Sequence, residues 1–183
     1  MSNIVYIAAS LDGYIADKAG TVDWLHSIPN PEGSDMGFGE FIERVDALVM
    51  GRNTLDMVLS FEIDWPYSKP VFVLSNTLKQ VPSGYEDKVF LVKGPLDEVV
   101  ATLNQQGYKE LYIDGGVTIQ NFLKADLIDE MIVTTIPVLL GGGLPLFADL
   151  VSPINFKHVK CERLLDCLVK NHYLRVRDGV DGK

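Results

Sequence analysis

Leu111-Tyr112-Ile113-Asp114-Gly115-Gly116-Val117-Thr118 runs from an apolar, strand-like segment through two glycines into a stretch of helical spacing. Ile119, Phe122 and Leu123 continue that stretch on one face. A strand that turns directly into a helix is the repeating step of a parallel, helix-covered sheet. Two glycines at the junction permit a ligand phosphate to pack close to the backbone, with the helix amides facing it. They equally suit a tight turn that needs a positive φ.

The same step recurs outward along the chain. Eight runs rich in Val, Ile, Leu, Tyr and Phe read as strands, near Ile4–Ala9, Ala47–Met50, Val71–Ser75, Val89–Val92, Leu111–Asp114, Met131–Ile136, Phe156–Leu164 and His172–Val176. Four stretches between them read as helices. Phe38, Phe41, Ile42 and Val45 share one helical face, as do Leu55, Val58 and Leu59. A third helix is framed by Pro95 at its start and Gly107 past its end. The fourth follows the Gly-Gly junction. This alternation predicts a three-layer α-β-α domain over residues 1–183 with a mainly parallel sheet. The last two strands, joined by a turn around Leu165–Lys170, should close it as an antiparallel hairpin.

Composition narrows the functions. With 47% hydrophobic residues the chain can fill a core, and its net charge of −9 argues against broad nucleic-acid or anionic-membrane binding. No apolar run reaches the roughly 18 residues of a membrane span. Met1-Ser2-Asn3 lacks the basic start of a signal peptide. Cys161 and Cys167 are too few for a disulfide framework, and no Cys/His pair has metal-ligand spacing. The expectation is a cytoplasmic, metal-free protein acting on a small molecule.

Two more turns could hold an anion. In Leu48-Val49-Met50-Gly51-Arg52-Asn53-Thr54, Gly51 admits a ligand, Arg52 brings a cation, and Asn53 and Thr54 stand at a helix start. Asn53 or Thr54 serving as a plain cap is the competing reading. In Val73-Leu74-Ser75-Asn76, the short polar side chains suit a ribose phosphate or simply a turn, and Lys79 and Lys93 lie nearby in sequence. All three turns fall at the carboxyl ends of strands, the edge where open α/β sheets bind ligands. Asp35, before the first helix, is a candidate proton donor or a cap, with Glu40 a rival one turn on. Asp12-Gly13 reads as a hairpin turn, and Trp24 as a core residue or a pocket lid.

The order of these motifs is more specific than any one of them. Ala9-Ser10-Leu11-Asp12-Gly13-Tyr14-Ile15-Ala16, Trp24, Val49-Met50-Gly51-Arg52-Asn53-Thr54, Leu74-Ser75, Asp114-Gly115-Gly116 and the segment from Pro137 to Phe147 follow one another along nearly the whole chain. The series resembles the dihydrofolate reductase-like superfamily, above all the reductase domain of the riboflavin-biosynthesis deaminase–reductase and its stand-alone relatives. The resemblance implies a mixed, mainly parallel eight-stranded sheet, four helices, a homodimer, and NADPH as hydride donor to a C=N or ribosylamine-type substrate, a riboflavin-pathway pyrimidine or a pterin. By position it gives Arg52, Asn53 and Thr54 to the cofactor phosphates, and Ser75 and Asn76, with Lys93 near, to the ribose phosphate. Asp114, Gly115, Gly116, Val117 and Thr118 fall to the pyrophosphate turn, and Ala8 and Ala9 to the nicotinamide side. Asp35 and Thr134 fall at the positions of the catalytic carboxylate and its partner threonine. The zinc-binding deaminase half is absent, and no basic cluster is evident that would grip a substrate phosphate. A non-catalytic NADP(H)- or nucleotide-binding module is the alternative.

Overall fold

The strands carry apolar side chains on both faces, and each face has its own pair of helices. A computed structural model describes residues 1–61 and 63–177. In chain order its elements are β1 (Ser2–Ser10), β2 (Tyr14–Ala16), α1 (Phe38–Arg44), β3 (Ala47–Gly51), α2 (Arg52–Ser60), β4 (Val71–Leu74), β5 (Val89–Val92), α3 (Leu96–Gln105), β6 (Glu110–Asp114), α4 (Gly116–Lys124), β7 (Glu130–Ile136), β8 (Leu144–Pro145), β9 (Phe156–Leu164) and β10 (Leu168–Arg175). Eight of the strands form one sheet in the order β5-β4-β3-β6-β1-β7-β10-β9. Its ladders are parallel except those of β10, which runs antiparallel to β7 and to β9.

The two-residue period of the strands sorts the core. Leu48 and Met50 of β3 and Tyr112 of β6 turn to α1 and α2, where they meet Phe41, Ile42 and Leu55. Val49, Leu111 and Ile113 turn the other way, to Val99 and Leu103 of α3 and Ile119 and Phe122 of α4. A sheet covered on both sides needs continuous apolar runs, which is why the central strands show no polar alternation. At the amino-terminal end of the strands, Arg44 of α1 is paired with the buried carboxylate of Glu130 on β7, its Nη1 donating to Oε1 at 2.6 Å.

All eight expected strands and the three-layer fold are present, and the differences are local. The terminal hairpin turns more tightly than expected, with Leu165 and Asp166 both at positive φ (47° and 58°) and β10 already under way at Leu168. Asp12-Gly13 makes a turn, yet β2 beyond it pairs with β8 rather than with β1. The Asp12 carboxylate explains this. It accepts from the Leu140 and Gly141 amides at 3.1 and 2.8 Å, tying the turn to the Gly141–Gly143 segment. The short β8 and the 3-10 turn at Asp23–Ser27 lacked a periodic signal long enough to be read.

Two features shape the carboxyl end of the sheet. The β1–β6 ladder stops at Ile4↔Tyr112, while β1 continues to Ser10 against β7 alone. The sheet therefore opens between β6 and β1, where strand order reverses. Beside this opening the starts of α2 and α4 converge. Gly115 has φ 88°, and a Cβ placed on it would lie 2.1 Å from Thr54 Oγ1. Gly115→Ala combines backbone strain with a direct clash. It should destabilise the protein by about 2–4 kcal/mol in chemical denaturation, whereas an unchanged midpoint would show that the two helix starts are free to separate.

Candidate functional site

Helices α2, α3 and α4 all begin without a side-chain cap. The caps are Gly51, Pro95 and Gly115, so neither Asn53 nor Thr54 caps α2. The first amides of a helix have no partner inside it. Here those of α2 and α4 stand over one cleft with the positive ends of their dipoles, an arrangement suited to anions.

The cleft has a volume of about 460 Å³. Gly51, Arg52, Asn53 and Thr54 form one wall, and Gly116, Val117 and Thr118 face them. Ser75, Asn76 and Lys93 close the far end at the tips of β4 and β5. Three turns remote in sequence thus meet in one place. Gly51 eases the approach, since a Cβ there would stand a tight 3.0 Å from Thr118 Oγ1. Met57, Leu74, Gly94, Leu96, Asn121 and Leu144 complete the lining, and nothing in the local sequence of Gly94, Asn121 or Leu144 singles them out. Two members are partly engaged already. Arg52 Nε donates to Asp56 Oδ2 at 3.3 Å across an exposed pair, and Ser75 Oγ accepts from the Leu78 amide at 2.9 Å, closing its own turn.

The other expected residues lie around the opening of the sheet. Ala8 and Ala9 point to opposite faces. Ala8 is half-buried on the α1 side, whereas Ala9 is buried on the other, in a separate apolar cavity of about 470 Å³ with Leu146 and Tyr173. Thr134 is buried directly across the ladder from Ala8. Asp114 ends β6, and its Oδ1 accepts from the Gly115 amide at 2.8 Å.

The carboxyl groups divide sharply. Asp35 is exposed, and its two oxygens accept from the Gly37 and Gly39 amides at 2.8 and 2.9 Å, which holds its pKa below the usual carboxylate value. It ties down the turn into α1, whose N-cap is Gly37, and this geometry lends no support to its donating a proton. Glu40 is exposed on α1. Asp114 behaves oppositely. Loss of hydration raises its pKa, against the pull of the Gly115 amide and the Tyr112 hydroxyl. Burial likewise pushes neighbouring Tyr67 and Tyr112 upward, so this pocket favours neutral acids. The sequence reading placed Asp114 with the phosphate turn and missed this property, because its surroundings include β3, where Met50 stands opposite, and Tyr67 in the segment before β4. Among the described residues no cluster of His, Cys, Asp and Glu is arranged to hold a metal, and no helix is long and apolar enough to cross a membrane.

Comparison with known proteins agrees with this architecture. The model of the RibD C-terminal domain matches residues 3–169. The uncharacterized protein YwjB of Bacillus subtilis (strain 168) is 35% identical over 175 residues, 94% of this chain and 97% of its own. A crystal structure from Shewanella sp. PV-4, named as a candidate riboflavin biosynthesis protein, superposes with a TM-score of 0.95 at 67% identity, covering 97% of this chain and all of that one (100%). Dihydrofolate reductase of Enterococcus faecalis, solved with NADP(H), shares the fold alone, with a TM-score of 0.62 at 16% identity over 95% of this chain and 96% of that one. The chain belongs to the RibD C-terminal domain family, within the dihydrofolate reductase-like fold.

Proposed function

We propose that this chain is an NADPH-dependent reductase that delivers hydride to a C=N or ribosylamine-type carbon of a pyrimidine or pterin-like substrate. One observation carries the reading. The uncapped starts of α2 and α4, with Cβ-free backbone at Gly51 and Gly115, meet in a single cleft beside the opening between β6 and β1. The family, and a reductase of the same fold solved with NADP(H), support it.

The residues present fit the cofactor. Gly116, Val117 and Thr118 would take the pyrophosphate on the first amides of α4, while Arg52, Asn53 and Thr54 add a guanidinium and the amides of α2. Ser75, Asn76 and Lys93 would meet the phosphate on the adenosine ribose. Past the end of β6, Ala8 of β1 leaves a shallow surface for a flat ring. When bound, NADPH supplies the hydride. The chain's share is to orient the two reactants, exclude water and supply the proton that balances the hydride. Asp114 is the group placed to hold that proton: its desolvated carboxyl keeps a proton to higher pH than an ordinary aspartate, and it stands at the opening.

This assignment also separates catalysis from mere binding. Capping by Asp35 alone would favour a nucleotide-binding module without chemistry, and Asp114 supplies the missing acid. A cytoplasmic homodimer belongs to the same proposal. The exposed apolar side chains of Leu139, Phe147, Leu150 and Val151 suit such a contact.

NADPH at one hundred times its Kd should stabilise the protein by about 2.7 kcal/mol, a rise of roughly 5–10 °C in thermal unfolding. Arg52→Ala should weaken NADPH by about tenfold, and an unchanged titration would remove Arg52 from the phosphate site. Asp114→Asn should lower kcat by roughly 10²-fold or more, whereas Asp35→Ala should lower it by less than about tenfold; the reverse order would return the proton to Asp35. The stability of Asp114→Asn supplies an independent check. A carboxyl whose folded pKa is raised binds more protons folded than unfolded, so its contribution is lost as pH rises above the ordinary carboxylate range. The variant should therefore gain stability relative to the wild type as pH rises from about 4 toward neutrality, and a variant that instead loses stability relative to the wild type over that range would contradict the raised pKa.

A further inference from the structure

Four strands place one residue each in a straight row across the sheet. Ala8 of β1 is opposite Thr134 of β7, Thr134 is opposite Lys170 of β10, and Lys170 is opposite Glu162 of β9. Cα partners in adjacent strands project their side chains to the same face. The row therefore leads from the small residue at the opening of the sheet, past a buried hydroxyl, to a lysine whose side chain is only 12% exposed.

The surroundings of Lys170 are specific. Its Nζ donates to the Met36 carbonyl at 3.1 Å, stands 3.5 Å from Glu162 Oε2, and lies 6.0 Å from the centre of the Tyr6 ring. Tyr6 Oη donates to the same Met36 carbonyl at 2.9 Å. That carbonyl belongs to an unusual turn: Met36 and Gly37 both have positive φ, 57° and 88°, directly before α1. A non-glycine residue in this region is costly and persists only where its surroundings enforce it. Tyr6 and Lys170 hold the turn from below, and Asp35 holds it from its own side through the Gly37 amide.

An ammonium has three donors. The Met36 carbonyl takes one and Glu162 faces a second, and among the described residues the third has no acceptor. The charge, by contrast, is already matched. Glu162 stands between Lys170 and Lys160, the latter 3.1 Å from its other oxygen, and Asp35 is near enough for Lys170 to lower its pKa, so two carboxylates face two ammonium groups. A lysine so compensated is a poor clamp for a dianion and a good hydrogen-bond donor to a neutral oxygen. Burying such a group beside the Tyr6 ring costs stability that an apolar side chain would not, which a role at the site would account for.

We propose that Lys170 is a specificity-determining residue of the substrate side of this site, donating to an uncharged oxygen of the molecule reduced, a ring carbonyl or a sugar hydroxyl, so that the chain takes a substrate without a phosphate. The inference rests on the reductase reading above.

The test uses NADP⁺-saturated protein and two probes in titration calorimetry: the phosphoribosylaminopyrimidine of the riboflavin pathway, and the same molecule without its phosphate. The wild type should bind the unphosphorylated probe at least as tightly as the phosphorylated one. Lys170→Met should weaken that probe by about tenfold or more, Lys170→Gln, which keeps a donor, should weaken it less, and the Kd for NADP⁺ should move by less than about twofold in both. Thermal unfolding of each variant, with Lys170→Arg as the charge-retaining control, separates loss of contact from loss of fold. A phosphorylated probe bound more than about tenfold tighter, with the preference lost in Lys170→Met, would make Lys170 a phosphate clamp and overturn the proposal. So would equal affinities in wild type and variants, or binding of neither probe. Failure of the wild type to bind NADP⁺ would instead count against the reductase reading itself.

Discussion

The absence of a side chain at position 115 is the constraint on which the site depends. Thr54 Oγ1 occupies the space a Cβ would need, so the starts of α2 and α4 close to within direct contact. Their uncapped amides then face one cleft instead of two separate turns. The fold brings this about because β3 and β6 are neighbours in the sheet, with Met50 opposite Asp114, and each strand runs straight into its helix. Chain order does not bring residues 54 and 115 together. The parallel topology does, and glycine is what lets the topology finish at contact distance.

The same arrangement separates two chemistries along the opened edge. Toward β4 and β5 the cleft is polar, cationic and open, as phosphates require. Toward β1 and β7, beyond the cleft's own lining, Ala8 and Thr134 pair across the sheet, and Tyr6 Oη donates to the Met36 carbonyl in the turn before α1. Asp114 lies at the boundary, where β6 ends and the β1–β6 ladder has already parted. Two aspartates of ordinary chemistry thus diverge through surroundings alone. Asp35 is solvated and bound by two amides, which favours its anion, and Asp114 is partly withdrawn from water, which favours its acid.

Much of this was legible in the sequence. Apolar runs broken by Gly, Asn and Asp gave the eight main strands, because a doubly covered sheet leaves a strong, continuous signal. The three strand-end turns could be read as one site because the carboxyl edge of such a sheet is shared. What escaped reading depends on pairing across the sheet. Lys170 is an unremarkable surface-type residue until β10 is set beside β7, and Asp114 is a turn residue until Tyr67 and Tyr112 enclose it. Ala8 and Ala9 looked equivalent in a strand end, yet the two-residue period sends them to opposite faces. Asp35 was legible both as a cap and as an acid, and only the distances to the Gly37 and Gly39 amides separate the two.

Backbone amide shifts followed by NMR during titration with NADP⁺ test the central claim most directly. The account predicts the largest perturbations at Arg52–Thr54 and Gly116–Thr118, together, with smaller ones at Ser75, Asn76 and Lys93. Perturbations confined to the apolar cavity around Leu146 and Tyr173, or to one of the two helix starts without the other, would contradict it.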